Sequence, residues 1–450
     1  MNYFKTTFWW IIVLAAVGGY SYLDYEKTRV EEIQKDEATR LFPFYPKDIL
    51  SIILNKGDRV IELERWEEGW RMVAPIKVKA ESKAVEKFLG YITDSRNDAE
   101  YIMDADPSPQ RLVEFGLADP EVSVTLKVGK QLNEYTLQFG ARAPTKGVAF
   151  ARLKGEKAVY RVLSYMRAEA DKDVYYFRDK SVLRLNPLMI DQLVINRKEG
   201  SIRVKLPQDG KWEIEKPIKA RADHNKVFEI LGMFANAQVK NFISENKNNL
   251  KAYGLDKPDI ELMLWQSGDS EPTLKIEVGA RNPEKRGYFV TMSDRDNVFL
   301  LEEDLISAIP RGANDLRSRD LLFFESDKLR RIEIRRPNRS VALVRDKDKE
   351  WRKNNVDGEK VDFNLVKEML SGVLELKISD FITDSPKSLK AYGLDPPEMK
   401  LLLWPEKSAV PIFLSVGSKT PSGNVYAMSG AQGSVLALDK SVKRILKIIL

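Results

Sequence analysis

The chain has 450 residues, with 73 Lys and Arg against 67 Asp and Glu for a net charge of +6, one histidine and no cysteine. Zero cysteine excludes disulfides, zinc ribbons, iron–sulfur clusters and thiol catalysis, and a single histidine excludes a His-rich metal site or paired-imidazole chemistry within one chain. The small positive excess does not point to nucleic acid, while 43% hydrophobic and 10% aromatic residues supply packed cores for about three domains of roughly 150 residues each.

From Thr6 to Leu23 the chain carries no charge over 18 residues, a run that would span about 27 Å as a helix, just enough for a hydrocarbon core. Trp9, Trp10, Ile11, Ile12, Val13 and Leu14 form its apolar centre, with Tyr20 and Tyr22 toward the far end as an interfacial aromatic pair. Lys5 and the α-amine favour a cytoplasmic N-terminus. The reading is a transmembrane signal anchor over residues 1–23. A cleaved signal peptide is the competing reading, because Ala15–Gly19 offers small residues. Residues 24–45 begin charge-dense, with Glu31 and Lys35 at i,i+4 spacing, and read as a helical stalk that Pro43 and Pro46 end.

Internal repetition dominates the rest of the chain. Trp70, Trp212 and Trp351 stand at offsets of 142 and 139 residues, each after a strand-like segment. Pro75-Ile76-Lys77 and Pro217-Ile218-Lys219 follow the first two. A helix comes next, with one apolar stripe written three times: Val85, Phe88, Leu89 and Ile92; Val227, Ile230, Leu231 and Phe234; Val366, Met369, Leu370 and Val373. Their i, i+3, i+4, i+7 spacing predicts one buried helix face, and Asp223 and Asp362 are placed as N-caps.

Further on, Leu250-Lys251-Ala252-Tyr253-Gly254-Leu255-Asp256 recurs unchanged as Leu389-Lys390-Ala391-Tyr392-Gly393-Leu394-Asp395, with Phe115, Gly116, Leu117 and Ala118 in the divergent first copy. Helix, Gly, then Pro120, Pro258 or Pro397 reads as a helix stop with a left-handed glycine. Period-two alternation then predicts strands from Val122, Ile260 and Met399, a second strand ending at Gly140, Gly279 and Gly417, and two more strands after it. The predicted fold is α+β: the membrane helix, then three tandem homologous modules of mainly antiparallel sheet in an elongated array. The modules are assigned to 46–185, 186–324 and 325–450.

These motifs together resemble a large uncharacterised bacterial cell-envelope family, a domain of unknown function whose members are often encoded beside gliding-motility-type ABC transporter permeases. The resemblance covers about residues 45–450 and rests chiefly on Tyr-Gly-Leu-Asp at 253–256 and 392–395. It implies a protein of the bacterial inner membrane, N-terminus cytoplasmic and bulk periplasmic. It further implies an ABC-type permease and auxiliary envelope subunits as partners, and no catalytic residues.

No residue set points to chemistry directly. His224 has no Gly-x-Ser-x-Gly elbow to serve and reads as an exposed first-turn residue. Asp256 and Asp395 invite comparison with glycosidase acid pairs, but they occupy equivalent places in different repeats. They read as turn residues bonding backbone amides. Lys328, Arg330, Arg331, Arg335, Arg336 and Arg339 form the densest basic segment. Without interleaved aromatics it suits an acidic partner or anionic lipid headgroups better than nucleic acid, beside the simpler reading of a solvated strand. Trp265 and Trp404 read as core or inter-module residues. No cofactor is expected. The expectation is a non-enzymatic, membrane-anchored scaffold or accessory subunit of an ABC-type transporter; a lipid or amphiphile carrier is the alternative, and a carboxylate-dependent hydrolase a third reading.

Overall fold

The computed structural model describes residues 14, 17–29, 40–94, 102–143, 147–430 and 433–448. Residues 17–29 are helical. The centre of the expected anchor, with Trp9, Trp10, Ile11, Ile12 and Val13, lies outside the described residues; Leu14 is described and exposed. Among the described residues no helix is long and apolar enough to cross a membrane. The far part of the expected stalk, residues 30–39, also lies outside them.

Three antiparallel sheets follow in tandem. The first contains β1 (Ile49–Lys56), β2 (Arg59–Trp66), β3 (Gly69–Ala74), β4 (Val78–Lys79), β5 (Ile102–Asp104), β6 (Val122–Val128), β7 (Asn133–Arg142), β8 (Val148–Leu153) and β9 (Val159–Leu163). Their spatial order is β4-β3-β2-β1-β6-β7-β8-β9-β5, two meanders joined where β1 meets β6. The second sheet repeats that nine-stranded order between Ile190 and Glu302, and the third, between Leu329 and Leu438, repeats it with eight strands, lacking a counterpart of β4. The central seam recurs with them: Ile52 faces Leu126, Leu193 faces Leu264, and Ile332 faces Leu403. The chain divides into two compact units, Met1–Lys180 with the first sheet and Ser181–Leu450 with the other two.

One helix covers the inner face of each sheet: Ser82–Thr93, His224–Asn236 and Phe363–Glu375. The stripe expected from periodicity is the face that is buried, with all twelve residues at 4% exposure or less. At about 2 kcal/mol per buried aliphatic or aromatic side chain, the four residues of each stripe contribute roughly 8 kcal/mol before entropy. Asp223 accepts hydrogen bonds from the Asn225 and Lys226 N–H groups at 3.0 and 3.3 Å, and Asp362 from Asn364 at 2.8 Å, capping the two later helices. The three tryptophans close the same cores at 2%, 1% and 2% exposure, and Trp70 Nε1 donates to Glu86 Oε1 at 2.8 Å.

The structure corrects the sequence reading in three places. A short edge strand follows the long helix in each module (β5, Asn241–Ser244 and Ile378–Thr383) where none is expected; register shifts in its pairing break the alternation that would have marked it. The helix before each motif glycine is a separate short turn: Pro109–Glu114, and 3-10 turns at Leu250–Tyr253 and Lys390–Tyr392. The strands expected to end at Gly140, Gly279 and Gly417 run on to Arg142, Asn282 and Lys419, bulging at the glycine.

Replacing Leu231, fully buried in the second core, with Ala opens a cavity and is expected to cost about 3 kcal/mol, read as a lower thermal midpoint for the second unit.

Candidate functional site

The repeated Tyr-Gly-Leu-Asp motif turns out to be a backbone clamp. In each copy the chain ends its short helical turn on a left-handed glycine, with φ of +64° at Gly116, +66° at Gly254 and +63° at Gly393. The next leucine N–H reaches back five residues to a carbonyl, Leu117 to Leu112 at 2.8 Å, Leu255 to Leu250 at 2.9 Å and Leu394 to Leu389 at 3.1 Å. The glycine N–H bonds one residue inside that pair, completing a Schellman motif. The bulged strand glycine lies beneath: a Cβ at Gly140, Gly279 or Gly417 would collide with the carbonyl oxygen of Phe115, Tyr253 or Tyr392. A Cβ on Gly116, Gly254 or Gly393 would come within 2.8, 2.9 or 2.8 Å of the nitrogen of Ala141, Ala280 or Ser418. Two backbones meet with no room for a side chain on either.

The motif's aromatic residue completes the clamp against the third strand of the meander. Phe115 packs tilted against Phe150 at 4.6 Å between ring centroids, Tyr253 tilted against Phe289 at 5.0 Å, and Tyr392 edge-on against Tyr426 at 5.1 Å. In the first module Phe115, Leu117, Phe150 and Val159 form a small cluster distinct from the main core. Leu255, Val298 and Leu300 in the second module, and Leu394 and Val435 in the third, are likewise buried but belong to neither main core. The first sheet thus has a large core under its helix and a small one beside the motif, and the matching motif leucines of the other two modules are buried as well.

Asp256 and Asp395 are exposed and make no hydrogen bond or ion pair among the described residues. The expected bond from each carboxylate to backbone amides is absent; the motif's backbone already satisfies the turn. His224 is exposed and rests its ring on Phe228 at 4.7 Å.

The basic segment is divided by the strand's alternation. Ile332 and Ile334 enter the third core, and Arg331, Glu333 and Arg335 share the opposite face. Arg331 contacts Glu333 at 3.1 Å and lies 5.2 Å over the half-buried Trp404 ring, and Arg335 pairs with the same carboxylate. Arg335 first, and Arg331 after it, hold the Glu333 carboxyl below its usual range against the opposing effect of burial. Lys328 pairs with Glu325 at 2.5 Å, Arg330 donates to the Ser408 carbonyl at 3.2 Å, and Arg336 approaches Met399 Sδ at 3.8 Å. Arg339 is exposed and has no polar partner among the described residues. Trp265, the counterpart of Trp404, is also half-buried, so of the two expected roles, core or inter-module, neither ring fills the first.

The second unit holds an arrangement that sequence reading missed. Arg317 is 1% exposed and donates to Asp384 Oδ1 at 2.7 Å and to Ser434 Oγ at 2.9 Å, with its guanidinium 4.2 Å from the Phe381 ring centroid. Burial works to raise the Asp384 carboxyl, but the Ser434 hydroxyl and Arg317 outweigh it and hold it below its usual range. The segment around Arg317 pairs with both neighbouring sheets: Arg317 opposite Ala222, and Asp320 opposite Lys377. The Ser318 N–H donates to the Arg221 carbonyl at 2.9 Å, and the Ile378 N–H to the Arg319 carbonyl at 2.8 Å. Beside it opens a cleft of about 780 Å³ whose walls include Glu213, Glu215, Lys219, Arg221, Phe323 and Phe413. Arg221 lies 3.8 Å over the Phe323 ring. An arginine within a polar segment carries no periodic signal that would have marked it.

Among the described residues no group of three or more His, Asp or Glu side chains is placed to hold a metal ion. The architecture is that of a tandem-repeat protein built from sheet-rich modules. A family model matches at residues 70–212, 212–388 and 351–448, and the chain belongs to that family, described as Domain of unknown function (DUF4340), with three tandem copies. No curated protein and no solved structure matches the chain.

Two outcomes are expected. Gly279→Ala should cost about 2 kcal/mol or more by forcing the clamp apart, whereas Gly232→Ala, in a helix with open space around its Cα, should be neutral or stabilising by up to about 1 kcal/mol; thermal melts compare the two. Because Glu333 and Asp384 have lowered folded-state values, their stabilisation is complete above the unfolded carboxyl value of about 4 and is lost as pH falls through the lowered one. The melting temperature should therefore drop below about pH 4, and Glu333→Gln should flatten that drop.

Proposed function

We propose that the chain is a non-enzymatic, membrane-anchored accessory subunit or scaffold of an ABC-type transporter complex in the bacterial cell envelope, with its three modules exported. The observation that carries the non-enzymatic part is the use made of the repeated residues. The Tyr-Gly-Leu motif and its partner glycines hold backbone against backbone in each copy, and the motif carboxylates of Asp256 and Asp395 converge on nothing. A catalytic reading would have those positions gather around a pocket.

The uncharged run Thr6–Leu23 supports the anchor, with the N-terminus in the cytoplasm. The resemblance to envelope proteins encoded beside ABC permeases supports the partner. The pairing of Arg317 with Asp384 and Ser434 supports a scaffold that keeps the second and third modules in a set relation. On the carrier reading the sheets' apolar faces would form an open groove; each is instead covered by a helix with its stripe buried.

Affinity purification from native membranes in mild detergent, with mass spectrometry of proteins and lipids, tests the proposal. The expected result is stoichiometric recovery of a permease and its ATPase, lost on deletion of residues 325–450 while the anchor remains inserted. Recovery unchanged after removal of all three modules contradicts it, and bound lipid without protein partners replaces it with the carrier reading.

A further inference from the structure

The cleft in the second unit is lined on its second-module side by Glu213, Glu215, Lys219 and Arg221. The sheet register sets Glu213 directly opposite Arg221, while Ile214, between the two glutamates, is buried in the core. Acid and base opposite each other on paired strands ordinarily attract. At the position of Glu213 the first module has Arg71, which pairs with Glu64 at 2.8 Å, and the third has Arg352, which pairs with Asp346 at 2.6 Å. In the second module no such pair forms. Arg221 instead lies 3.8 Å over the Phe323 ring, and Glu213, Glu215 and Lys219 make no side-chain hydrogen bond or ion pair among the described residues. Glu215 stands where the other copies have Val73 and Asn354, so the two acids belong to this module alone.

Two carboxylates on one strand therefore run beside an ammonium and a guanidinium on the chain that returns next to it, about 5 Å away at the spacing of paired strands. The rest of the lining is apolar: Leu322, Phe323, Val410, Pro411, Ile412 and Phe413, with Gly430. The Phe413 ring is seated on Gly430, where a Cβ would come within 2.8 Å of it, and Lys400 Nζ lies 5.0 Å from the ring centroid. Val410, 73% exposed, carries the apolar lining out to solvent. At about 780 Å³ the cleft has the size of a small-molecule site.

We propose that this cleft binds a zwitterionic amphiphile, a head with one ammonium and one phosphate on an apolar chain, as in an aminophospholipid. The ammonium meets Glu213 and Glu215, the phosphate meets Lys219 and Arg221, and the chain runs along Phe413, Ile412 and Val410. Two acids and two bases in separate rows select against a head of a single sign. A purely anionic head would face the unpaired carboxylates, and a purely cationic one the unpaired bases. Free phosphoethanolamine shares the head chemistry without the chain, and the test separates the two sources.

The probe is lysophosphatidylethanolamine with a hexanoyl chain, titrated calorimetrically into the full chain held in amphipol. Saturable binding is expected, at least about tenfold tighter than that of phosphoethanolamine, which lacks the chain. It should also be about tenfold tighter than that of hexanoyl lysophosphatidylglycerol, which lacks the ammonium. Glu213→Gln combined with Glu215→Gln, both at exposed positions, should leave the melting temperature unchanged and abolish the preference for the ammonium. Val410→Ser should weaken the lysolipid and leave phosphoethanolamine as it was. Absence of saturable binding, equal binding of the lysophosphatidylglycerol, or an unchanged preference in the double variant overturns the proposal. Equal binding of phosphoethanolamine and the lysolipid overturns it in favour of a soluble head.

Discussion

The whole module depends on a place where two stretches of backbone touch without side chains between them. Gly254 on its left-handed turn and Gly279 on a bulged strand approach each other closely, and the same pair recurs as Gly116 with Gly140 and Gly393 with Gly417. Only glycine fits, at one position because of its backbone angle and at both because a Cβ would strike backbone. The contact holds the short helical turn on the back of the sheet, which in turn seats the Phe115, Tyr253 or Tyr392 ring on its partner and closes the small second core. A sheet covered on one face alone would leave that back open to water. The clamp explains why this segment is the most faithfully repeated in the chain without any appeal to chemistry.

In the second unit a further constraint joins two such modules. The segment Arg317–Asp320 pairs with the edge of the second sheet through Ala222 and with the edge of the third through Lys377, so it is shared by both. Arg317 adds a buried charge whose loss would strand Asp384 beside Ser434. Arg317 is buried while Asp384 stays open to solvent, and desolvation of the guanidinium offsets much of the attraction, so the pair adds less stability than specificity. Here the geometry favours one relation between the modules over a family of loose ones.

Much of this was legible in the sequence, for identifiable reasons. The helix stripes were readable because burial of one helical face imposes a 3.6-residue period, and the three tryptophans marked the register because each plugs the same core. The strands after the motif alternated visibly because one face of each carries the large core. Other features left no such trace. The edge strands near Ile102, Asn241 and Ile378 are irregular in register, which erases the alternation, and a bulged glycine looks in sequence like a strand end. Asp256 and Asp395 looked functional through repetition alone, while Arg317, set in a polar junction, showed nothing of the pairing it makes. The basic strand is visible as charge, but Glu333, the carboxylate that pairs with two of its arginines, leaves no mark because a single acid among arginines does not alter the pattern.

The most direct test of the clamp as the module's keystone is native-state hydrogen exchange at the amides of Leu117, Leu255 and Leu394. If the motif is structural, these amides exchange only when the module opens as a whole, with the same opening free energy as the central-strand amides of Leu126, Leu264 and Leu403. Exchange at the rate of an exposed loop, with the central strands still protected, would show that the motif opens independently of the fold and would contradict the account.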